Sequence, residues 1–248
     1  MPDPSPAFPV VMLLVLSALA ATVSSLGALP FLHQVARPRL VSGAEALAGG
    51  LMLGAAQLLV ARGLDRGELA PLFGAALGVG YTMVVQTYAG TAELVDEEEG
   101  DPGAQFGYKV LLRQSLHSSS EGVAMGVAFL LDLRLGIFLA VALALHNVGE
   151  GIVLTQVLRR RGLAAGQAAG FCVVSKLTQP LFALATFALA PVLEHLISWG
   201  LGFAGGCLAF LVLTELLPDA YYKGGRQRVA ALATLSAGLV VMLEDFLA

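Results

Sequence analysis

The chain has 248 residues, 57% of them hydrophobic and only 13% charged, with a net charge of −4 and a mean hydropathy of +0.79. A soluble domain carries about 25% charged residues. Too little polar side chain is present to cover a water-facing surface, and the long apolar runs place residues 1–248 in lipid as a single transmembrane domain. The small net charge says nothing about nucleic acid; no basic patch or nucleic-acid motif appears, so no such partner is expected, and no phosphate-binding glycine loop points to a nucleotide-driven pump.

A spanning helix needs about 20 mostly apolar residues, and eight stretches qualify: 8–32, 40–61, 69–94, 110–131, 135–158, 163–189, 196–217 and 229–247. Backbone groups cannot stay unpaired in hydrocarbon, so runs of this length, rich in Ala, Leu and Gly, are helices. The expected fold is an all-α membrane protein of eight transmembrane helices in a lipid bilayer. The first span follows a segment with Asp3 and no positive charge, so it reads as a retained helix and not a cleaved signal. His33 at its end reads as interfacial. The second span carries Gln57 and the small-residue run Ala48-Gly49-Gly50. The connection after span three, Asp96-Glu97-Glu98-Glu99-Gly100-Asp101, reads as a solvated loop; holding cations is the sharper alternative.

Spans four and five carry the strongest signal. Span four reads Leu116-His117-Ser118-Ser119-Ser120-Glu121-Gly122, and span five reads Leu145-His146-Asn147-Val148-Gly149-Glu150-Gly151. In each, His and Glu stand at i and i+4, on one helix face and one turn apart. An ionised Glu in hydrocarbon is costly and usually marks a site or pathway. A structural His–Glu ion pair is the bland reading, but the same spacing in neighbouring spans argues against coincidence. Two such helices face to face would present two imidazoles and two carboxylates to one point. That set suits Zn2+, and also Fe2+, Mn2+ or Cd2+. A bound divalent ion would neutralise both carboxylates.

Span six carries Ser175, Lys176 and Gln179 just before Pro180. Lys176 lies near mid-span as a buried cation, with snorkelling to an interface as the alternative. Pro180 weakens the helix there, and interrupted helices line transporter sites. His195, before span seven, reads as interfacial. In span seven Glu215 is either a relay ligand or an interfacial residue, and Asp219 stands at its end. Cys172 and Cys207 lie in apolar runs and read as small buried side chains, with no disulfide. Ala204-Gly205-Gly206 in span seven echoes Ala48-Gly49-Gly50 in span two, and the two His-x-x-x-Glu-Gly motifs echo each other. Both pairs join spans of opposite direction, the pattern of an inverted repeat.

Orientation follows from Lys and Arg in the connections. Arg37 and Arg39, Arg159 to Arg161, and Lys223, Arg226 and Arg228 lie on one side, with Lys109 and Arg113 near the end of the third connection. The other side has Arg62, Arg66 and Arg134. The odd connections are therefore cytoplasmic and both termini extracytoplasmic. More Arg than Lys, with no targeting segment, fits a multi-pass protein of a bacterial inner membrane.

These residues resemble the ZIP (Zrt-, Irt-like protein) family of metal transporters over nearly the whole chain. The spans and the two His-x-x-x-Glu-Gly motifs carry the resemblance. Ser175-Lys176-Leu177-Thr178-Gln179-Pro180 resembles the family's Ser-Gly-Leu-Ala-Glu-Pro. Glu215-Leu216-Leu217-Pro218-Asp219-Ala220 resembles Glu-Leu-Ile-Pro-Glu-Ala, and Gly49 to Ala56 resembles its small-residue second helix. The resemblance implies a 3+2+3 inverted-repeat arrangement, external termini, and metal movement towards the cytoplasm by alternating access. It maps the primary metal site onto His117, Glu121, His146 and Glu150. Some bacterial members hold a second metal beside the first, through positions that are Ser118, Asn147 and Gln179 here. Two carboxylate positions are neutral amides. A second divalent ion about 4 Å from the first would be strongly repelled, so a single-metal site is expected, with Lys176 standing in for the second cation. The family's His-rich cytoplasmic loop is absent. No organic cofactor is expected, and a homodimer is compatible with the sequence.

Two alternatives come from other classes. An intramembrane metal-dependent hydrolase would use similar ligands, but its usual His-Glu-x-x-His is missing and no carboxylate is left over as a general base. A metal-binding membrane protein that does not transport would share the site without flux.

Overall fold

The computed structural model describes residues 7–32, 38–67, 69–89, 104–189 and 196–247. Among these, every regular element is helical: α1 (Ala7–Val23), continuing as a 3₁₀ segment (Ser24–Phe31), α2 (Pro38–Leu64), α3 (Ala70–Ala89), α4 (Ala104–Leu131), α5 (Leu133–Arg160), α6 (Ala165–Ser175), α7 (Thr178–Ala188), α8 (Ile197–Leu211), a π-helical turn (Val212–Leu216), α9 (Leu217–Gly224) and α10 (Arg226–Leu247). Six stretches are long and apolar enough to cross a membrane: Phe8–Phe31, Pro38–Leu64, Leu133–Arg160, Ala165–Ala188, Ile197–Gly224 and Arg226–Leu243. Helices α3 and α4 fall short of that apolarity. Helix α3 carries Tyr81, Thr82, Gln86 and Thr87, and α4 carries Lys109, Arg113, Gln114, His117 and Glu121. Both put polar side chains into the interior.

The expected boundaries shift at several ends. Helix α4 begins at Ala104, not 110. The seventh stretch runs past 217 to Gly224, where Gly225, at φ 85°, ends the helix. Its polar end is sustained by an i,i+4 pair between Asp219 and Lys223. His33, the acidic run 96–101 and His195 lie outside the described residues.

Proline interrupts three of the rods. It brings no N–H and crowds the carbonyl four residues back. At Pro180 the Lys176 carbonyl instead accepts from Gln179 N at 3.0 Å. The helix therefore breaks over Lys176 and Leu177 between α6 and α7, where the sequence predicts a weak point. Pro30 lies inside the 3₁₀ segment that ends the first rod, a break the first span's apolar run does not reveal. Pro218 follows the π turn that holds Glu215.

Helix α3 packs along α8, α10 along α2, α4 along α7, and α5 along α1 and its 3₁₀ extension. Small residues permit these contacts. A Cβ on Gly122 would lie 2.3 Å from the Gln179 carbonyl oxygen, and one on Gly151 would lie 2.0 Å from that of Ser24. The glycine closing each His-x-x-x-Glu-Gly motif is thus where a backbone seats against the next helix. Gly151→Leu is expected to destabilise the protein by more than the roughly 1–3 kcal/mol of ordinary overpacking, because the obstacle is main chain and cannot turn aside. Thermal unfolding of the purified variant in detergent checks this. An unchanged melting temperature would mean that the two backbones do not touch.

Candidate metal centre

Helices α4 and α5 pack against each other and turn their His and Glu side chains to one buried point. His117, Glu121, His146 and Glu150 each offer a donor atom, and the four atoms lie within 4.8 Å of one another. His117 Nε2 is 2.7 Å from Glu150 Oε1 and 3.1 Å from Glu121 Oε1. His146 Nε2 is 3.2 Å from each of the same oxygens. Each imidazole therefore meets a carboxylate of its own helix and one of its neighbour. The Glu121 and His146 side chains are fully buried, and Glu150 is the most open of the four at 11%.

Neither Nε2 has a hydrogen-bond partner, although carboxylate oxygens are this close. The oxygens approach without N–H···O geometry, and the four donor atoms lie round a shared centre. A tetrahedral ion with bonds of about 2.0–2.1 Å has donor–donor edges of about 3.3 Å. The four nitrogen–oxygen separations, 2.7–3.2 Å, lie somewhat below that edge. The donor set fits a zinc-like cation.

Lys176 is 1% exposed, so the snorkelling alternative is set aside. Its Nζ lies 3.0 Å from Glu121 Oε2 and also pairs with Glu150 Oε2. In Glu150 the oxygen facing the imidazoles and the oxygen facing the ammonium are different atoms. The break before Pro180 seats the lysine here. Asn147 Nδ2 donates to Gln179 Oε1 at 3.0 Å and to the Ala20 carbonyl at 2.8 Å, and Gln179 Nε2 contacts Met125 Sδ at 3.3 Å. One hydrogen bond thus joins the two amides, and Asn147 Oδ1 is buried without a partner. Ser118 is fully buried with an unpartnered hydroxyl and is not one of the four donors. Cys172 and Cys207 are buried and free.

Glu215 is 8% exposed. It forms an ion pair with Arg113 of α4 and accepts from Gln86 Nε2 of α3 at 2.9 Å. Gln57, in contrast, is exposed and away from the site. Three residues stand outside the expected set. Gln114 donates to Glu150 Oε2 at 2.9 Å, Arg113 holds Glu215, and Glu45 of α2 is 2% exposed. Glu45 carries the same signal as Glu121, an acidic side chain inside an apolar run. Arg113 stands one turn before His117 on the same face.

A cavity of about 80 Å³ runs from Glu150 past Arg113 and Glu215 to Glu45 and Asp219. A smaller one of about 20 Å³ reaches His117 from the side of Tyr81 and Gln86. Towards the opposite ends of the same helices, Met52, Met125, Leu139, Leu143 and Leu208 are 0–1% exposed and pack into the main apolar core.

Fold and site together define a helical protein with several membrane-crossing stretches and a buried four-donor group of zinc type. The chain belongs to the ZIP zinc transporter family, whose sequence profile matches residues 89–244, all four donors included. It is similar to a putative zinc transporter of Arabidopsis thaliana, 31% identical over 236 residues that are 91% of this chain and 38% of the plant protein. It is also similar to the zinc transporter GufA of Myxococcus xanthus, 29% identical over 94% of this chain and 97% of that protein, and to the zinc transporter ZIPB of Bordetella bronchiseptica, 30% identical over 52% of this chain and 41% of that protein. The chain spans under two fifths of the plant relative but nearly the whole of GufA. The family is one of transporters, not enzymes, and the hydrolase alternative is set aside.

Proposed function

We propose that the protein moves Zn2+ across a membrane by alternating access, through a single site formed by His117, Glu121, His146 and Glu150, towards the cytoplasm. The observation that carries this reading is the convergence of four buried donor atoms from two adjacent helices beside a cavity.

The proposed architecture is eight spans in a 3+2+3 inverted repeat over the one domain 1–248. Its support is a contact pattern that repeats when the first three spans are exchanged for the last three and span four for span five. A Cβ on Gly50 of α2 would lie 2.3 Å from the Ala233 carbonyl oxygen of α10, and one on Gly206 of α8 would lie 2.2 Å from that of Ala75 of α3. Gly122 and Gly151 form the matching pair at the site. Orientation rests on charge. Glu45 at the start of α2 pairs with Lys223 at the end of α9, so the basic first and seventh connections share one end of the bundle. The positive-inside rule makes that end cytoplasmic and puts both termini outside. The 80 Å³ cavity opens the site towards this end, while the apolar side chains close the other, an inward-facing arrangement.

The reading of one metal rests on Lys176 and on the paired amides Asn147 and Gln179. The ammonium already offsets one of the two glutamate charges, and neutral amides cannot offset a second divalent charge. Fe2+, Mn2+ and Cd2+ meet the same donors and are proposed as competing ions. Radiolabelled zinc uptake into proteoliposomes tests the function. Saturable uptake, reduced by those ions in excess, is expected. Zinc binding without flux under any imposed gradient would favour a fixed-site membrane protein and overturn the transport reading.

A further inference from the structure

The cavity that leaves Glu150 ends at a second pair of carboxylates. Glu45 lies in the second turn of α2, and its Oε1 accepts from Lys223 Nζ at 3.0 Å. The same ammonium pairs with Asp219, one turn earlier on α9. One cation thus bridges two carboxyl groups on different helices. Glu45 Oε2 is buried and has no hydrogen-bond partner. An unsatisfied carboxylate oxygen in so buried a side chain is costly and calls for an explanation. Both carboxylates line the cavity, together with Glu150 and Glu215, whereas Lys223 does not.

We propose that Glu45 and Asp219 form a second, oxygen-only site for a hydrated divalent cation, with Lys223 as the tethered cation that the ion displaces. Carboxylate oxygens without imidazole suit hard ions that keep part of their water shell. The cavity has room for that shell, since one water needs only about 10–15 Å³. Lys223 can yield its place. Its ammonium sits on a flexible four-carbon stem, and its side chain is 19% exposed at the end of the bundle, so it can swing to the membrane surface. The site is weaker than the His/Glu centre for two reasons. It lacks nitrogen donors, and a competing cation is attached to the same helix as Asp219. An ion leaving Glu150 would therefore meet a place that holds it briefly and releases it. The inference takes the source of the ion from the transport reading, but binding at Glu45 and Asp219 does not require that reading.

Mn2+ alone, counted by its electron paramagnetic resonance signal, is the probe. The full-length protein is reconstituted in nanodiscs with the upper centre disabled by His117→Ala and His146→Ala. On this background Lys223→Gln is expected to bind one Mn2+ at least about tenfold tighter than the chain that keeps Lys223, because a full positive charge has been removed from the site. Adding Glu45→Gln, or separately Asp219→Asn, is expected to abolish that binding. Two independent variants, each checked for a single sharp size-exclusion peak, prevent one misfolded protein from deciding the matter. No Mn2+ binding after Lys223→Gln, or binding indifferent to both carboxylate variants, overturns the proposal. Zinc uptake by the wild type separates the two readings. Mn2+ binding as stated without zinc uptake upholds this site and sinks transport. Uptake without Mn2+ binding sinks this site alone.

Discussion

Glu150→Gln is expected to reduce zinc uptake into proteoliposomes by more than about a hundredfold. Substituting groups that merely orient metal ligands costs roughly 10–100-fold, and Glu150 is a ligand candidate with both imidazoles within 3.2 Å. The amide retains the shape but loses the charge that a divalent ion needs. The variant should still fold. Lys176 keeps Glu121 as its partner, and the local set goes from two anions and one cation to one of each. Its melting temperature without zinc is therefore expected to equal or exceed that of the wild type. The zinc response is the discriminating readout. A ligand at 100 times its Kd stabilises a one-site protein by about 2.7 kcal/mol, and that increment should disappear in the variant. A variant with normal uptake and a normal zinc-induced shift would remove Glu150 from the site and leave the four-donor geometry without a function.

The parts of this site that were legible in the sequence are those set by short-range geometry. His117 and Glu121, like His146 and Glu150, share a helix face because they stand four apart, whatever the rest of the fold does. The break at Lys176 was readable from Pro180, since the missing N–H is a property of that residue. The second pair of motifs, Ala48-Gly49-Gly50 and Ala204-Gly205-Gly206, was readable as an internal echo, and Gly50 and Gly206 each face a main-chain carbonyl.

What escaped the sequence depends on pairing across the chain. The partners of Glu215, Arg113 and Gln86, stand 102 and 129 positions away. Lys223 and Glu45, 178 apart, carry no mutual signal in their own neighbourhoods. Hydropathy treats α3 and α4 as weak spans partly for the reason that they matter, since Thr82, His117 and Glu121, which dilute them, are buried in the interior. Ser118 is adjacent to His117, yet adjacent positions on a helix point about 100° apart, and this hydroxyl joins neither the donors nor the amide pair.

Lys176→Met separates a structural lysine from one that sets the site's affinity, because the two roles predict opposite signs. In the wild type the ammonium lies between the buried carboxylates of Glu121 and Glu150. Removing one partner of a buried ion pair costs about 3–5 kcal/mol, so the metal-free variant is expected to melt well below the wild type. Zinc then becomes the sole cation able to balance the two glutamates. The site goes from a net charge of −1 to −2 before binding, and no fixed positive charge opposes the ion. Zinc affinity is therefore expected to rise at least about tenfold, and zinc should restore most of the lost stability. Release should slow in proportion, so uptake at saturating zinc is expected to fall while the concentration for half-maximal uptake also falls. Zinc titration by calorimetry and the uptake curve read the two effects separately. A lysine that only braced the break between α6 and α7 would give the opposite result, with weaker zinc binding in a less stable protein. The wild-type lysine, on this argument, holds the empty site together and keeps zinc loosely enough bound to leave through the cavity beside Glu150.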